Sequence, residues 1–241
     1  MAVSVASLGG NLILASLPAE EQRRLLRHLE PVTLRIDELP YSLNQAIEHL
    51  HFPMKGCLVS LIKAVDDGKS FDIGIAGRDG LVGVEAVFGS QAQFGAIVRV
   101  GGEALRISTF DLNADLLGSG EWPAIFNRYF QFTLVNFAQT AACNAFHSLE
   151  KRFCVCLLTV QDRLKSDEIP MTHSVFAKML GVRRAGITEA AQKLQEAGVI
   201  HYRWGKLTIL DRRLLESQAC VCYRQQTRAY QQLLSSAWPN G

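Results

Sequence analysis

The sequence predicts an α+β fold in three parts: an N-terminal β jelly roll, a long helix, and a C-terminal winged helix-turn-helix. Three observations predict it. Between residues 32 and 110, short apolar segments alternate with glycines, as strands joined by tight turns do. From Ala124 to about Leu164, neither glycine nor proline interrupts the chain. From Thr172 to Leu210 the order reads helix, tight turn, helix, hairpin. The expected divisions are 1–120 for the strand domain, 121–149 for the long helix and 150–241 for the winged unit.

The chain has 241 residues, 48% of them hydrophobic, enough for two modest cores. Its net charge is only +2, but the charge is unevenly placed. Thr172–Arg213 carries eight Lys or Arg against three Asp or Glu, so this segment is +5 and the remainder −3. That concentration is the footprint expected of a surface that meets a polyanion. No apolar run approaches the ~20 residues that cross a bilayer, and MAVSVASLGGNLILASLPAEEQ lacks a basic leader. With six cysteines and no export signal, the expectation is a soluble cytoplasmic protein with free thiols and no membrane partner.

Element by element, residues 10–30 read as helical. Leu25, Leu26 and Leu29 share a face, and Pro18-Ala-Glu-Glu reads as a helix start. CLVSLIKAV, DDG and KSFDIGIA read as one hairpin; GAIVRV, GG and EALRIS read as a second. Gly56, Gly68, Gly77, Gly80, Gly83, Gly89, Gly101 and Gly102 mark the joints. Short strands at this spacing suggest a sandwich or jelly roll rather than a parallel sheet. The stretch from Ala124 to Leu164 reads as two helices broken near Ser148. Its first half carries Phe, Val and Ala on every face, and a helix apolar all round needs more than one neighbour; a second copy of the chain is the expected one.

The last third predicts helices over Thr172–Leu180 and about Arg184–Ala197, with Gly198 as a stop. VIHYR, the turn WGK and LTIL form a hairpin, and Asp211 caps a terminal helix running past Tyr223. Ala177 is small where two helices cross, Gly181 permits the turn, and Val175, Phe176, Leu180, Ile187 and Leu194 form the apolar seam. Arg183 and Arg184 stand at the start of the second helix, where their charge opposes the helix dipole. A major groove resolves the conflict, because phosphates and guanine edges accept bidentate arginine contacts. Arg203, Trp204 and Lys206 at the hairpin tip suit a wing pressed on the DNA backbone.

GVRRAGITEAAQKLQEAGVIHYRWGKLTILDRRLLESQACVCY resembles the C-terminal half of the cyclic-AMP receptor protein and fumarate-nitrate regulator (Crp/Fnr) family. HLHFPMKGCLVSLI, DDGKSFDIGIAGRDGLVG and TAACNAFHSLEKR resemble its strand domain and long helix, so the likeness runs from about Leu12 to Leu234. The resemblance implies a homodimeric transcription regulator with a cyclic-nucleotide-binding-like jelly roll, a dimerisation helix and a winged helix reading a palindromic double-stranded operator. RNA polymerase is a candidate further partner. The DNA-facing set it implies is Thr172, Arg183, Arg184, Ala185, Thr188, Glu189, Gln192, Arg203, Trp204 and Lys206. Arg184 keeps the family's first base-reading position, whereas Ala185 and Glu189 replace a Glu and a second Arg, which implies a different operator. Arg183 stands where relatives carry a small hydroxyl cap and is assigned to phosphate.

In members that bind cyclic AMP, a Gly-Glu pair opens the phosphate-binding segment and Arg-Ser-Ala closes it. Here GVEAVFGSQAQFGAIVRV aligns without a gap. Gly83 and Ala96 remain, Val84 replaces the ribose-binding glutamate, Phe94 the phosphate-binding arginine and Gly95 the serine. Burying a cyclic phosphate without cation or donors costs several kcal/mol, so the pocket is expected to be degenerate. Whether its own side chains fill it or an apolar ligand does is left open. Oxygen-sensing members hold an iron–sulfur cluster through N-terminal cysteines, and none precedes Cys57 here, so neither that cluster nor any other cofactor is expected.

His49-Leu-His51 resembles the metal pair of cupin enzymes but lacks the carboxylate that should follow; no metal and no enzyme are expected from it. Cys143 and His147 have ligand spacing on a helix. Cys154/Cys156 and Cys220/Cys222, read as helical pairs, point to different faces and suit a shared metal poorly; free buried thiols are expected. The competing readings are a ligand-, redox- or metal-sensing protein whose DNA binding is conditional, or one whose basic unit binds a protein.

Overall fold

The computed structural model describes residues 4–65, 70–89, 91–112 and 120–234. Three short helices open the chain: α1 (Val5–Leu8), α2 (Leu12–Ala15) and α3 (Ala19–Leu25). Pro18 is the N-cap of α3 and two glutamates occupy its first turn. The buried Asn11 fixes this segment to the strands. Its amide donates to Pro53 O at 3.0 Å and Gly80 O at 2.8 Å, while its oxygen caps α2.

Two three-stranded antiparallel sheets follow. One has β1 (Glu30–Leu34), β6 (Gly102–Ser108) and β2 (His49–Pro53) in that order; the other has β4 (Ser70–Ala76), β3 (Leu58–Ala64) and β5 (Gly95–Val100). The predicted β3–β4 hairpin forms, with Ala64 opposite Ser70 and a register shift between Leu61 and Ile62; its DDG turn lies outside the described residues. The second predicted hairpin does not form. β5 pairs with β3, whereas β6 crosses to the other sheet and pairs with β1 and β2. The GG pair is a corner between sheets. A Cβ on Gly101 would stand 3.0 Å from Leu34 O and one on Gly102 3.0 Å from Cys57 Cβ, so two backbones pass where only glycine fits.

A short helix α4 (Thr109–Asp111) precedes the long α5 (Trp122–Phe146). The first turns of α5 belong to the strand core: Trp122 and Phe126 are buried, Trp122 packs edge-on to Phe52, and Tyr129 Oη donates to Leu81 O at 2.9 Å. His147 leaves the helix with extended backbone, and Ser148 caps α6 (Leu149–Leu164), the predicted break.

The C-terminal unit contains β7 (Glu168–Ile169), α7 (His173–Leu180), α8 (Arg184–Glu196), β8 (Ile200–Arg203), β9 (Lys206–Ile209), α9 (Arg212–Gln218) and α10 (Cys222–Leu234). Gly181 (φ +64°) and Gly198 (φ +71°) end α7 and α8 in the left-handed region that glycine permits. Phe153, Leu158, Phe176, Ile187, Leu194, Leu207 and Leu215 make one core. Two features escaped the sequence. β7 adds a third strand to the wing through β9, and the predicted single terminal helix is two, because the chain breaks at residues 219–221.

Candidate DNA-binding surface

Thr172 caps α7, its hydroxyl accepting from Val175 N at 3.4 Å. The turn at Gly181 brings α8 across α7 over the small, buried Ala177. Gly186 lets α8 approach α6, since a Cβ there would stand 2.8 Å from Leu149 Cδ2. With Ile187, Ala190, Ala191 and Leu194 buried beneath, the opposite face of α8 is solvent-facing: Arg183, Arg184, Ala185, Thr188, Glu189 and Gln192 are all exposed.

The charge pattern on that face is uneven. Arg183 occupies the N-cap (φ −72°, ψ 143°) without a side-chain capping bond, and the first turn of α8 holds no acidic residue. Among the described residues neither Arg183 nor Arg184 has an ion-pair partner, so two guanidinium groups face solvent at the positive end of a helix. Two cations nearby are paired: Lys193 with Glu150 at 2.9 Å, and Lys206 with Glu168. Lys206 therefore brings the wing a partly neutralised charge. Gln192 is held by Glu196 at 2.8 Å, at the far end of the helix from the arginines.

The wing is set by a two-residue turn. Arg203 pairs with Lys206 across the hairpin, and Trp204 (φ +51°) and Gly205 (φ +79°) both lie in the left-handed region, as a type I′ turn requires. A tryptophan strained into that conformation is 89% exposed, and the Arg203 guanidinium stacks on its ring at 4.1 Å. A flat, cationic tip of this kind fits against a phosphate backbone.

His173 is the residue that sequence reasoning passed over. Its Nδ1 lies 3.1 Å from Thr188 Oγ1, and its ring stacks on Tyr202 at 4.0 Å. The Thr188 hydroxyl also lies 3.2 Å from Arg184 O, which links the imidazole to the first turn of α8. Burial first, and then the Arg184 charge, push His173 below the usual histidine range. One neutral imidazole thus ties the start of α7, the exposed face of α8 and the wing. The only sequence signal is a Thr-His pair at a helix start.

In the strand domain, Gly83 (φ +94°) begins a 3₁₀ turn over Val84–Phe88, and a Cβ there would meet Ile47 Cγ2 at 3.0 Å. Val84 is buried. Phe94 packs edge-on to Phe137 of α5 at 5.5 Å, with Lys63 Nζ 6.0 Å from its ring. A Cβ on Gly95 would stand 3.0 Å from Ile62 Cγ1. The neighbouring carboxylate, Glu85, is buried, pushed up by that burial, and accepts from Tyr41 Oη at 3.5 Å. His49 and His51 have no carboxylate between or after them on β2.

The fold and this surface define a class: a β roll joined by a long helix to a winged helix-turn-helix with an open, basic recognition face. The narrower assignment comes from comparison. Residues 151–218 match the family described as the Crp-like helix-turn-helix domain. FixK2 from Bradyrhizobium japonicum superposes with a TM-score of 0.70 at 15% identity, over 80% of this chain and 98% of that one. The c-di-GMP-responsive global regulator CLP of Xanthomonas campestris gives 0.64 at 18%, over 80% and 100%. A CRP-family transcriptional regulator from Thermus thermophilus gives 0.63 at 16%, over 78% and 96%. No curated protein sequence matches the chain. The chain has the fold of the Crp/Fnr regulators and carries a Crp-like helix-turn-helix domain. Among the described residues, no helix is long and apolar enough to cross a membrane.

Proposed function

We propose that the chain is a homodimeric, sequence-specific DNA-binding transcription regulator, not an enzyme, whose DNA binding needs no cyclic nucleotide. The observation that carries the reading is the unpaired Arg183–Arg184 pair on the exposed start of α8, placed above a preformed cationic wing. In a major groove Arg184 reads a guanine edge and Arg183 a phosphate, with Thr188, Glu189 and Gln192 along the same face.

Support for the dimer is an apolar stripe on α5. Phe130, Leu134, Ala138, Ala141 and Ala145 are exposed and follow one another three or four residues apart, the spacing of a helix–helix seam. Two recognition helices related by a two-fold axis then span half-sites about 34 Å apart. Support for independence from cyclic nucleotide is chemical. Val84, Phe94 and Gly95 offer an anionic ligand no charge and no side-chain donor, and Phe94 is engaged with Phe137 of the long helix.

The test is selection of duplexes from a random pool by the reduced protein with no added ligand, followed by anisotropy titration. A palindromic site is expected, with Arg184→Ala costing about 1–3 kcal/mol per half-site and relaxing selectivity at one base pair. Binding of all sequences alike, or unchanged selectivity in Arg184→Ala, would remove the assignment.

A further inference from the structure

Four soft or nitrogen donors converge where the long helix ends. Cys143 lies in the last turn of α5, and His147, the residue that ends the helix, donates its backbone N–H to Cys143 O. Cys220 lies in the link between α9 and α10, and Cys222 is the first residue of α10. The expectation that Cys220 and Cys222 diverge assumed a continuous helix. The chain instead bends between them, and both thiols turn toward α5. Cys143 Sγ lies 3.6 Å from Cys220 Sγ, and Cys222 Sγ lies 3.5 Å from His147 Nδ1. All four donor atoms fall within 4.8 Å of one another.

A tetrahedral zinc ion with bonds of roughly 2.0–2.3 Å needs donors about 3.5–3.8 Å apart along each edge. Two edges already have that length, and the others, at 4.8 Å or less, need to close by at most about 1.3 Å. The surroundings also suit a closed metal site. Cys143, Cys220 and Cys222 are buried with Val155, and His147 is half-buried. Gln139 Nε2 donates to Cys222 Sγ at 3.0 Å, the kind of outer contact that orients a thiolate. Cys154 and Cys156, inside the continuous helix α6, stay out of the cluster.

We propose that Cys143, His147, Cys220 and Cys222 form a tetrahedral Cys₃His site for a divalent ion of the zinc class, pinning α10 to the end of the long helix. The donor set fills all four positions and leaves none for a substrate, which makes the role structural or sensory rather than catalytic. Loading releases the three thiol protons and gives a site of net charge −1. Because the ligating form of cysteine is the thiolate, protons compete with the metal and uptake strengthens as pH rises. The ion would sit at the His147–Ser148 joint, where the long helix hands over to the DNA-binding unit.

The probe is Co²⁺, titrated into the full chain after reduction and metal stripping. One equivalent per chain is expected to give the intense visible bands of tetrahedral cobalt with thiolate charge transfer in the near ultraviolet, bleached by one equivalent of Zn²⁺. Cys222→Ser should lose about a third of the charge-transfer intensity and bind Co²⁺ at least ~10-fold more weakly; Cys57→Ser and Cys154→Ser should match the parent. The parent spectrum decides the matter even if a ligand variant fails to fold. A pale octahedral spectrum, no saturable binding by the reduced protein, or unchanged binding in a folded Cys222→Ser would each overturn the site. So would a Cys143–Cys220 disulfide as the stable form of protein purified under reducing conditions.

Discussion

Replacing Arg183 with serine should make the protein more stable and a poorer DNA binder. The structure supplies both halves of that expectation. Arg183 has N-cap backbone geometry but contributes no capping bond, and nothing acidic in the first turn offsets its charge. A serine hydroxyl at an N-cap is worth about 0.5–2 kcal/mol. Removing a cation from a helix start adds roughly 0.3–1 kcal/mol at exposed sites. The sum, about 1–3 kcal/mol, should raise Tm by some 2–4 °C per kcal/mol for a chain of this size. On the proposed reading, the same change deletes one phosphate contact per protomer. Each neutralised phosphate contributes about −0.9 to the slope of log K against log salt, so the dimer's slope should flatten by about 2. Melting followed by circular dichroism and anisotropy titrations at four salt concentrations measure both. An unchanged or lower Tm would refute the capping argument. An unchanged salt slope would refute the phosphate assignment, whatever the Tm does.

Two further predictions concern the strand domain. His51 is buried, and burial first, then His49 and Arg106, push it down to about 4. The unfolded chain binds a proton near pH 6.5 that the folded chain refuses. Stability should therefore fall as pH drops from about 6.5 toward about 4, by at most about 3 kcal/mol; His51→Leu should flatten that part of a urea-midpoint profile, and an unchanged slope would assign it elsewhere. Asp72 and Arg99 form a buried pair, Nη2 to Oδ1 at 2.5 Å and Nε to Oδ2 at 3.2 Å, with Ser60 Oγ also on Nε. Asp72→Ala strands a buried guanidinium and should cost about 3–5 kcal/mol, whereas Asp72→Leu with Arg99→Met should cost far less. Equal losses in the single and double variants would contradict the reading.

The winged unit was legible because its punctuation is local. Gly181, Gly198, the Trp204-Gly205 turn and the Asp211 cap each act on the residues beside them, and every one stands where the sequence put it. What was missed is non-local. Whether β6 folds back on β5 or crosses to β1 and β2 is decided by partners some 50 to 75 residues away, and the glycine pair reads alike as hairpin turn or corner. β7 is two residues long and exists only because β9 offers it an edge. His173 gained its place through Thr188 and Tyr202, neither of them a sequence neighbour. The break at residues 219–221 is the most instructive case. Ala-Cys-Val contains neither glycine nor proline, and the feature found at that break is Cys220 seated against Cys143 of α5. Face-by-face reasoning about Cys-x-Cys holds within one helix, and here the spacing straddles two.

That break also bears on how the two halves of the molecule communicate. The strand domain touches the DNA-binding unit directly: Arg163 of α6 chelates Asp79 at 2.9 and 3.1 Å, a Cβ on Gly77 would stand 2.7 Å from Arg163 Cβ, and Gly181 packs beside Phe71. Arg152 Nη2 donates to Leu180 O at 2.6 Å, fastening the end of α7 to α6. With α6 held at both ends, the remaining joint is the extended backbone at His147, between α5 and α6. On the proposed reading, a pocket lined by Val84 and Phe94 takes no cyclic nucleotide with which to move that joint. The proposed site would instead place an ion, held by the thiols and imidazole gathered there, at that joint. Loss of the metal would then change DNA affinity in the parent and leave it unchanged in Cys222→Ser, which is measurable on the operator recovered by selection.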